Sequence, residues 1–313
     1  MAESYDTLAG LVQFNDQNLA DLNVSDLLDD APLMQVLHAQ PASNGTEHKY
    51  LKQTTASSAA FRAALDGITK TKSADTLVTD TLAILDGSFD TDVALADAYK
   101  GGRDAWLELE LVRTMKQVFS HAESQIIYGV GSDATGFPGL IDNAQLDALA
   151  DTMVHNGSGT TATEQTSVFL LRSGADDVSF VLGNDGNIVV EDEPSIIQKA
   201  GSGSGVFPAL WVPVTGYAGF QIGGAYSAAR IANVHASDSG ANLDDGLVAE
   251  ALSLFPASRQ PNLCVMNRQA QKMLQQSRTA TTTTGAPAPF PTEVFGIPIV
   301  VTDAITSTEA VET

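Results

Sequence analysis

The stretch from Arg103 to Tyr128, RDAWLELELVRTMKQVFSHAESQIIY, is the most regular in the chain and organises everything around it. Its apolar residues recur every three or four positions, which places them on one face of an α-helix. The stripe consists of Leu107, Leu111, Met115, Val118, Phe119, Ala122 and Ile126. The side chains that we predict to anchor the helix in a core are Trp106, Leu111, Met115 and Phe119. At a rise of 1.5 Å per residue the helix is about 39 Å long, so it can act as a beam across the molecule.

A polar, extended segment precedes this helix. It contains two strand-like runs, Glu47–Thr55 and Thr76–Leu85. Between them lie small residues and three bases, Arg62, Lys70 and Lys72. Two polar strands without an apolar face cannot stand as an isolated hairpin in water. The segment is therefore either a loop pair packed on its own domain or an arm that a neighbouring subunit orders, and the residues alone leave both readings open.

The segment after the helix mixes strands and helices. The predicted strands of residues 166–233 are Ser167–Leu171, Val178–Leu182, Ile188–Glu191, Val206–Thr215 and Tyr217–Asn233. A second helical stripe follows over Leu243–Phe255, and the strand Asn262–Met266 leads into a helix that Asn267 caps. Val294–Thr302 is the last predicted strand. Because strands and helices do not alternate as in βαβ units, the predicted class is α+β.

The charge of the chain excludes several classes of protein. The 313 residues carry 38 Asp and Glu against 16 Lys and Arg, for a net charge of −22. Sequence-specific binding of nucleic acid requires a basic stripe, and the thinly spread bases form none. No run approaches the ~20 apolar residues that span a bilayer, so we predict no membrane contact. A lone Cys264 and an N-terminus without a signal sequence are typical of a protein made in reducing cytoplasm.

No catalytic, cofactor or metal site is predicted, so the chain does not read as an enzyme. The five histidines lie far apart in sequence, and no cysteine pair accompanies them. Gly201–Gly205 opens no helix and lacks the lysine of a phosphate-binding loop. Asn184–Asn187 is explained by a hairpin turn, and Glu191–Glu193 by a solvated acidic edge.

The order of these elements resembles the major capsid (coat) protein of tailed bacteriophages, with its Hong Kong 97-like capsid fold. That order is an N-terminal arm, a long polar extension, a beam helix, a mixed domain and a last strand near the C-terminus. The similarity covers about Asp26 to Ile305, and it lies in the order of the stretches rather than in any one of them. The similar stretches are Ala31–Leu33, Gly45–His48, Phe61–Arg62, Ser167–Arg172, Arg230–Asn233, Asn262–Arg268 and Phe295–Asp303.

The resemblance implies a division into five parts. These are an N-terminal arm (1–45), an extended loop (46–85), a peripheral domain (86–143) with the spine helix 103–128, an axial domain (144–288) with the strand-rich region 166–233, and a C-terminal strand (289–313) that returns to the peripheral domain. The extended loop would lie over the adjacent subunit. The residues that the resemblance places in that contact are Lys49, Lys52, Phe61, Arg62, Lys70 and Lys72.

The resemblance also implies the function and the partners. The chain would assemble with itself into hexamers and pentamers of an icosahedral shell around phage double-stranded DNA. Scaffolding, portal and decoration proteins would be further partners. The shell would form in the host bacterial cytoplasm and become the virion capsid. A shell has to confine DNA without gripping it, so the charge of −22 predicts a neutral to acidic lumen.

Two alternatives stay open at this point. The first keeps the fold but makes the shell an encapsulin-like compartment that holds cargo proteins. The second is an acidic cytoplasmic enzyme or ligand-binding protein that uses the mixed domain as a pocket. The contents of a particle distinguish the first alternative, and a small molecule that stabilises a soluble monomer would support the second.

Overall fold

The fold is described from a computed structural model, which covers residues 28–55, 57–67, 71–186, 188–190, 194–200, 205–235, 240–280 and 287–313. It is a mixture of helices and strands, which confirms the α+β class. The helices are α1 (Pro32–Val36), α2 (Val93–Ala98), α3 (Gly102–Tyr128), α4 (Asp245–Ser253) and α5 (Arg268–Ala280). The strands are β1 (Ala39–Pro41), β2 (Glu47–Thr55), β3 (Ala74–Thr81), β4 (Ala83–Asp86), β5 (Phe89–Asp92), β6 (Val154–Asn156), β7 (Thr166–Leu171), β8 (Val178–Leu182), β9 (Val189–Val190), β10 (Ser195–Ala200), β11 (Val206–Val212), β12 (Val214–Ile222), β13 (Ala228–Val234), β14 (Leu263–Met266), β15 (Glu293–Val294) and β16 (Ile297–Val301).

The predicted beam helix is observed as α3, 27 residues long. Its C-terminal half is the buried half, and Met115 and Phe119 lie in the hydrophobic core. Gly129 ends the helix with φ of +50°, where a Cβ would come within 2.2 Å of the backbone nitrogen of Gly139. Only glycine fits this turn without strain.

The N-terminal half of α3 is less buried than the stripe predicts. Leu111 is half-buried and packs against the edge of the core. Trp106 is also half-buried, but it packs on Tyr99, with ring centroids 5.2 Å apart, and its indole N–H donates to Thr91 Oγ1 at 3.0 Å. The stripe is one continuous face of the helix, but its N-terminal half packs on the short helix α2 and, through Trp106, on β5, so its apolar residues are only partly covered.

A six-stranded sheet forms the centre of the molecule, in the order β15-β16-β14-β7-β13-β6. Every residue of β7 and β13 is buried. These two strands pair antiparallel, and β14 pairs parallel with β16. Asn267 caps α5 as predicted, because its Oδ1 accepts from the backbone N–H of Ala270 at 2.8 Å.

A second sheet, in the order β1-β8-β12-β4 with β9 on β12, corrects three predicted strands. The run Val206–Thr215 ends at Val212, and Val214 already begins β12, because Pro213 has no N–H to continue the ladder of β11. The run Thr76–Leu85 is two strands, because Leu82 is buried and the chain changes partner there, from β2 to β12. The run Tyr217–Asn233 is also divided, since β12 and β13 lie in different sheets. The break at Leu82 has no Gly, Pro or Asn to mark it, whereas Gly223-Gly224, between β12 and β13, is a turn signal that the strand prediction passed over.

A third, three-stranded sheet has the order β10-β11-β5 and contains a strand that the sequence did not predict. This strand, β10, lies between segments outside the described residues, 191–193 and 201–204. Asn184 and Asp185 form a tight turn, as predicted: both have left-handed φ, +51° and +55°, and the N–H of Gly186 donates to the backbone oxygen of Gly183 at 3.0 Å. The strands on either side, β8 and β9, pair with β12 and not with each other, so the turn does not close a hairpin. Residues 1–27 of the predicted arm, Lys70 and Asn187 also lie outside the described residues.

Candidate assembly surface

The candidate functional surface is the extension that β2 and β3 form with the loop between them. The two strands pair antiparallel from Glu47↔Thr81 to Gln53↔Asp75, and no further strand of the described chain joins them. At about 3.4 Å per residue, nine residues of β2 reach roughly 30 Å. Beyond the strands, Ser58 and Thr71 continue the pairing through a backbone hydrogen bond of 3.1 Å.

The extension carries apolar side chains that its own subunit leaves uncovered. Leu51 and Leu77 face each other across the ladder and are 68% and 58% exposed. Phe61 and Leu65, near the tip, are fully exposed. The prediction that these strands have no apolar face is therefore wrong at the Leu51–Leu77 pair. Burial of each such side chain stabilises a contact by ~1.5–3 kcal/mol, so an apolar surface on a partner would bind this part of the extension favourably.

The extension is also the basic part of an acidic chain. Residues 49–72 hold five of the 16 Lys and Arg but only one of the 38 Asp and Glu. Lys49 pairs with Glu47 at 3.1 Å, and Arg62 donates to the backbone oxygen of Asp66 at 3.2 Å. Lys52 is half-buried and Lys72 is exposed. A basic arm on an acidic body is attracted to the body of another copy.

A buried histidine fixes the root of the extension. His48 Nδ1 accepts from the backbone N–H of Ser43 at 3.3 Å, so the other ring nitrogen carries the proton and donates to Gln221 Oε1 at 2.7 Å. Gln40 donates to the same oxygen at 2.8 Å and to Ser179 Oγ at 2.7 Å. This network binds β2 to β12, so the extension leaves the body in a defined direction.

Tyr50 and Asp80 form a second contact near the root. Burial raises the pKa of the Tyr50 hydroxyl, and the neighbouring Asp80 raises it further. Burial also raises the pKa of the Asp80 carboxyl, against the hydrogen bond from Tyr50 and the charge of Lys52. Tyr50 therefore stays protonated at neutral pH and can remain the hydrogen-bond donor.

Glu123 joins three distant parts of the chain beneath the surface. Its carboxylate accepts from the backbone N–H groups of Leu33 at 3.0 Å and Met34 at 3.3 Å, and from the hydroxyl of Thr302. Burial raises the pKa of Glu123 to about 7. Glu123 is not among the residues predicted from sequence, although an acid between Ala122 and Ile126 on the apolar stripe is a signal of a buried polar contact.

Arg230 holds the end of the chain against the central sheet. It is buried and donates to Ser167 Oγ at 3.0 Å, to the backbone oxygen of Leu146 at 3.1 Å and to Glu312 Oε2 at 3.0 Å. Tyr128, the last residue of α3, donates to Glu309 at 2.7 Å. The C-terminal segment is thus tied to both the beam helix and the sheet.

Neither a metal site nor a membrane-spanning helix is found in the part of the chain that the structure describes. No three side chains of His, Cys, Asp or Glu there come together as a group that could hold a metal ion. None of its helices is long and apolar enough to cross a membrane. Cys264 is buried, and burial raises the pKa of its thiol to about 12, so it is not a nucleophile at neutral pH.

Comparison with known proteins matches this architecture to viral shells. The family profile described as Major capsid protein GP7 matches residues 16–312. The bacteriophage Epsilon15 structure from cryo-EM is similar with a TM-score of 0.62 and 19% identity, over 88% of this chain and 87% of that one. The bacteriophage JBD30 capsid is similar with a TM-score of 0.52 and 9% identity, over 92% and 94%. No curated protein sequence matches the chain.

Proposed function

The chain belongs to the Major capsid protein GP7 family, and from this premise we propose that the β2–β3 extension is the contact that joins its copies into hexamers and pentamers of an icosahedral shell. The observation that carries the proposal is a 30 Å-scale ladder whose leucine pair and tip are uncovered in their own subunit. An arm that reaches a different site on the next copy makes a heterologous contact, and such contacts close into rings.

Two forces support docking of the extension on a neighbour. Leu51, Leu77, Phe61 and Leu65 would lose their exposure to water, which supplies the affinity. The bases of residues 49–72 would lie against the acidic body of the next subunit, which guides the encounter and selects the register. Of these bases, we assign Lys49, Lys52, Arg62, Lys70 and Lys72 to the contact, together with Phe61.

The domain assignment follows from the same proposal. The extended loop (46–85) projects from a peripheral domain (86–143) that α3 spans, with its last residues, from Ala83, already in β4 of the second sheet. The axial domain covers residues 144–288. Residues 289–313 return to the peripheral domain, and the contacts of Glu123 with Thr302 and of Tyr128 with Glu309 support this return.

We further infer that the shell encloses double-stranded DNA and that the chain has a structural, non-catalytic role in the virion capsid. The net charge of −22 supports a wall that confines DNA without binding it. Scaffolding, portal and decoration proteins would be its partners during assembly in the host cytoplasm. Nanomolar affinity for free DNA in physiological salt would contradict this reading of the charge.

The extension is tested by replacing residues 55–73 with an Asn-Gly turn, which lets Thr54 and Ala74 close a short hairpin. We expect a folded subunit, judged by circular dichroism and a cooperative melt, that forms no stable shells in electron micrographs. The wild-type chain, prepared in parallel, should form hollow particles alone or with a scaffold. Normal shells from the shortened variant would refute the role of the extension.

The contents of the particles test the enclosed cargo. Particles from infected cells should contain double-stranded DNA, detected by nuclease-protected nucleic acid after free DNA is digested. Particles filled with protein instead would identify an encapsulin-like compartment.

A further inference from the structure

The outer edge of β10 is an unpaired sheet edge. β10 pairs with β11 over six consecutive residues without a bulge, from Ser195↔Trp211 to Ala200↔Val206. β11 is covered on its other side by β5, but within the described ranges no strand lies along the outer side of β10. The edge therefore presents a row of free backbone donors and acceptors, which is a template for another strand.

The side chains of this edge do not protect it. Edge strands of monomeric proteins usually carry charges, prolines or bulges that prevent pairing. β10 reads SIIQKA, and its one charged residue, Lys199, is paired with Asp90 of its own subunit. Ile196 and Val206 remain 67% and 66% exposed. A regular edge with two isoleucines and a single lysine that is held by its own subunit is a site where another strand can pair.

The charge of the surrounding sequence identifies what covers it. Residues 194–237 contain no Asp or Glu, although the whole chain has 38 in 313 residues, and the three acids Glu191–Glu193 directly precede them. Antiparallel pairing puts the starts of two β10 strands at opposite ends, so the acid-free parts face each other. Two copies with a net charge of −22 each repel one another over most of their surface. Repulsion is smallest where the acid-free segments meet, so this edge is suited to a second copy of the same chain.

We propose that β10 pairs antiparallel with β10 of a second copy across a two-fold axis. The result is one continuous sheet of six strands, in the order β5-β11-β10-β10-β11-β5. The contact is isologous, because the same surface is used by both copies, whereas the contact of the extension is heterologous. The pairing of β10 rests on the proposed shell, since icosahedral shells contain two-fold axes between their subunits.

Disulfide trapping tests the pairing in assembled particles. In a two-fold antiparallel pair one residue faces its own copy, so cysteine is introduced singly at each of positions 196 to 199. Under mild oxidation, the position on the axis should give covalent dimers on a non-reducing gel. Pro208→Cys, at an exposed position of β11, is the matched control. The two β11 strands would lie about 14 Å apart, which is beyond the reach of a disulfide.

The outcomes separate the second copy from other occupants. Cys264 is buried, so a covalent dimer requires the same new cysteine in two copies. No dimer from any of the four positions in intact particles would overturn the pairing and leave the proposed shell standing. Equal dimer formation by Pro208→Cys would also overturn it. A wild-type chain that stays monomeric under all assembly conditions would refute the shell and the pairing together.

A charge variant tests the same contact without a covalent cross-link. Ile196→Asp adds a negative charge to the paired edge of each copy, whereas Ile196→Asn gives a side chain of almost the same shape as Asp and no charge. Because Ile196 is largely exposed in the subunit, both variants should fold. We expect loss of shells with Ile196→Asp and their retention with Ile196→Asn. Equal particle yields from the two variants would overturn the proposal.

Discussion

The β2–β3 extension and the central β7–β13 pair are both antiparallel ladders, but they are stabilised in opposite ways. All six residues of β7 are buried, and α3 and its neighbouring strands complete their packing. In β3 six of eight residues are exposed, and its most apolar pair faces solvent. The central pair is completed by its own chain, whereas a two-stranded ladder is only marginally stable alone, in keeping with our proposal that a neighbouring copy covers the extension.

The comparison predicts which substitutions act on folding and which on assembly. A change in the central ladder or its helix should lower the stability of the subunit, and assembly should fail as a consequence. A change in the exposed part of the extension should leave the subunit intact and remove assembly only. The following predictions test this division, in order of falling effect on the free energy of unfolding.

Phe119→Ala should have the largest effect on the subunit. The ring is almost fully buried between α3 and the sheets, so its loss leaves a cavity that costs about 3–5 kcal/mol. Urea denaturation and the yield of soluble protein measure this. Phe61→Ala, the same change at a fully exposed position, is the control and should leave the urea midpoint unchanged. Equal losses in the two variants would remove the distinction between core and extension.

Glu123→Gln should change the pH dependence of stability. The folded-state pKa of about 7 lies above the ordinary value of 4.5, so the unfolded chain releases this proton first as pH rises. Stability from this group is therefore full below pH 4.5 and falls by up to about 3 kcal/mol by pH 7. The variant should lack that slope in urea titrations at pH 5 and pH 7.5. Glu108→Gln, at an exposed position of α3, should retain it, and a wild-type curve that is flat over this range would contradict the prediction.

His48→Ala should have a smaller and local effect. It removes the hydrogen bonds to Ser43 and Gln221 at the root of the extension, at a cost of about 1–2 kcal/mol. Hydrogen exchange should increase in residues 47–55 and 74–81 but not in the central sheet. Lys49→Ala removes only an exposed ion pair and serves as control. An equal increase in hydrogen exchange throughout the subunit would contradict a local effect and show that the root of the extension unfolds together with the core.

Leu51→Ser combined with Leu77→Ser should leave the subunit almost unaffected. Both side chains are mostly exposed, so the melting temperature should match that of the wild type. The apolar contact with the neighbouring copy would be lost, and particle yield in electron micrographs should fall sharply. Thr76→Ser, on the same strand, is the control and should assemble normally. Normal assembly by the double variant would refute the leucine pair as a contact.

Periodicity predicted the long helix and most strands well, because a buried face leaves a regular mark on a sequence. The helix over 103–128 agrees with the observed Gly102–Tyr128, and the cap at Asn267 forms as expected. Strand limits were less predictable. The run Thr76–Leu85 has no sequence signal at Leu82, where the chain leaves one sheet and enters another. β10 was not predicted. Its sequence, SIIQKA, has the composition of a strand, but the residues on either side of it in the sequence do not indicate a buried strand.

The buried polar groups could not be predicted as sites. His48 has one local partner, Ser43, but Gln221, Ser167 and Thr302, on which the roles of His48, Arg230 and Glu123 depend, lie between 63 and 179 residues away along the chain. A histidine or a carboxylate has no local pattern that identifies such a partner, since burial and hydrogen bonds are set by packing. The apolar stripe of α3 did contain the anomaly at Glu123, but its meaning depended on Leu33, Met34 and Thr302.

By itself the sequence determined the class of fold, the position of the beam helix, the absence of a basic stripe and the order of parts that resembles a coat protein. These features depend on composition and on the spacing of residues along the chain, so they can be identified without knowing which distant residues come into contact. Only the tertiary structure decided that Leu51 and Leu77 share one face of the extension, that His48 fixes its root and that the edge of β10 is open. Strand partners and exposure depend on residues far apart in the chain, so they exist only once the chain has folded.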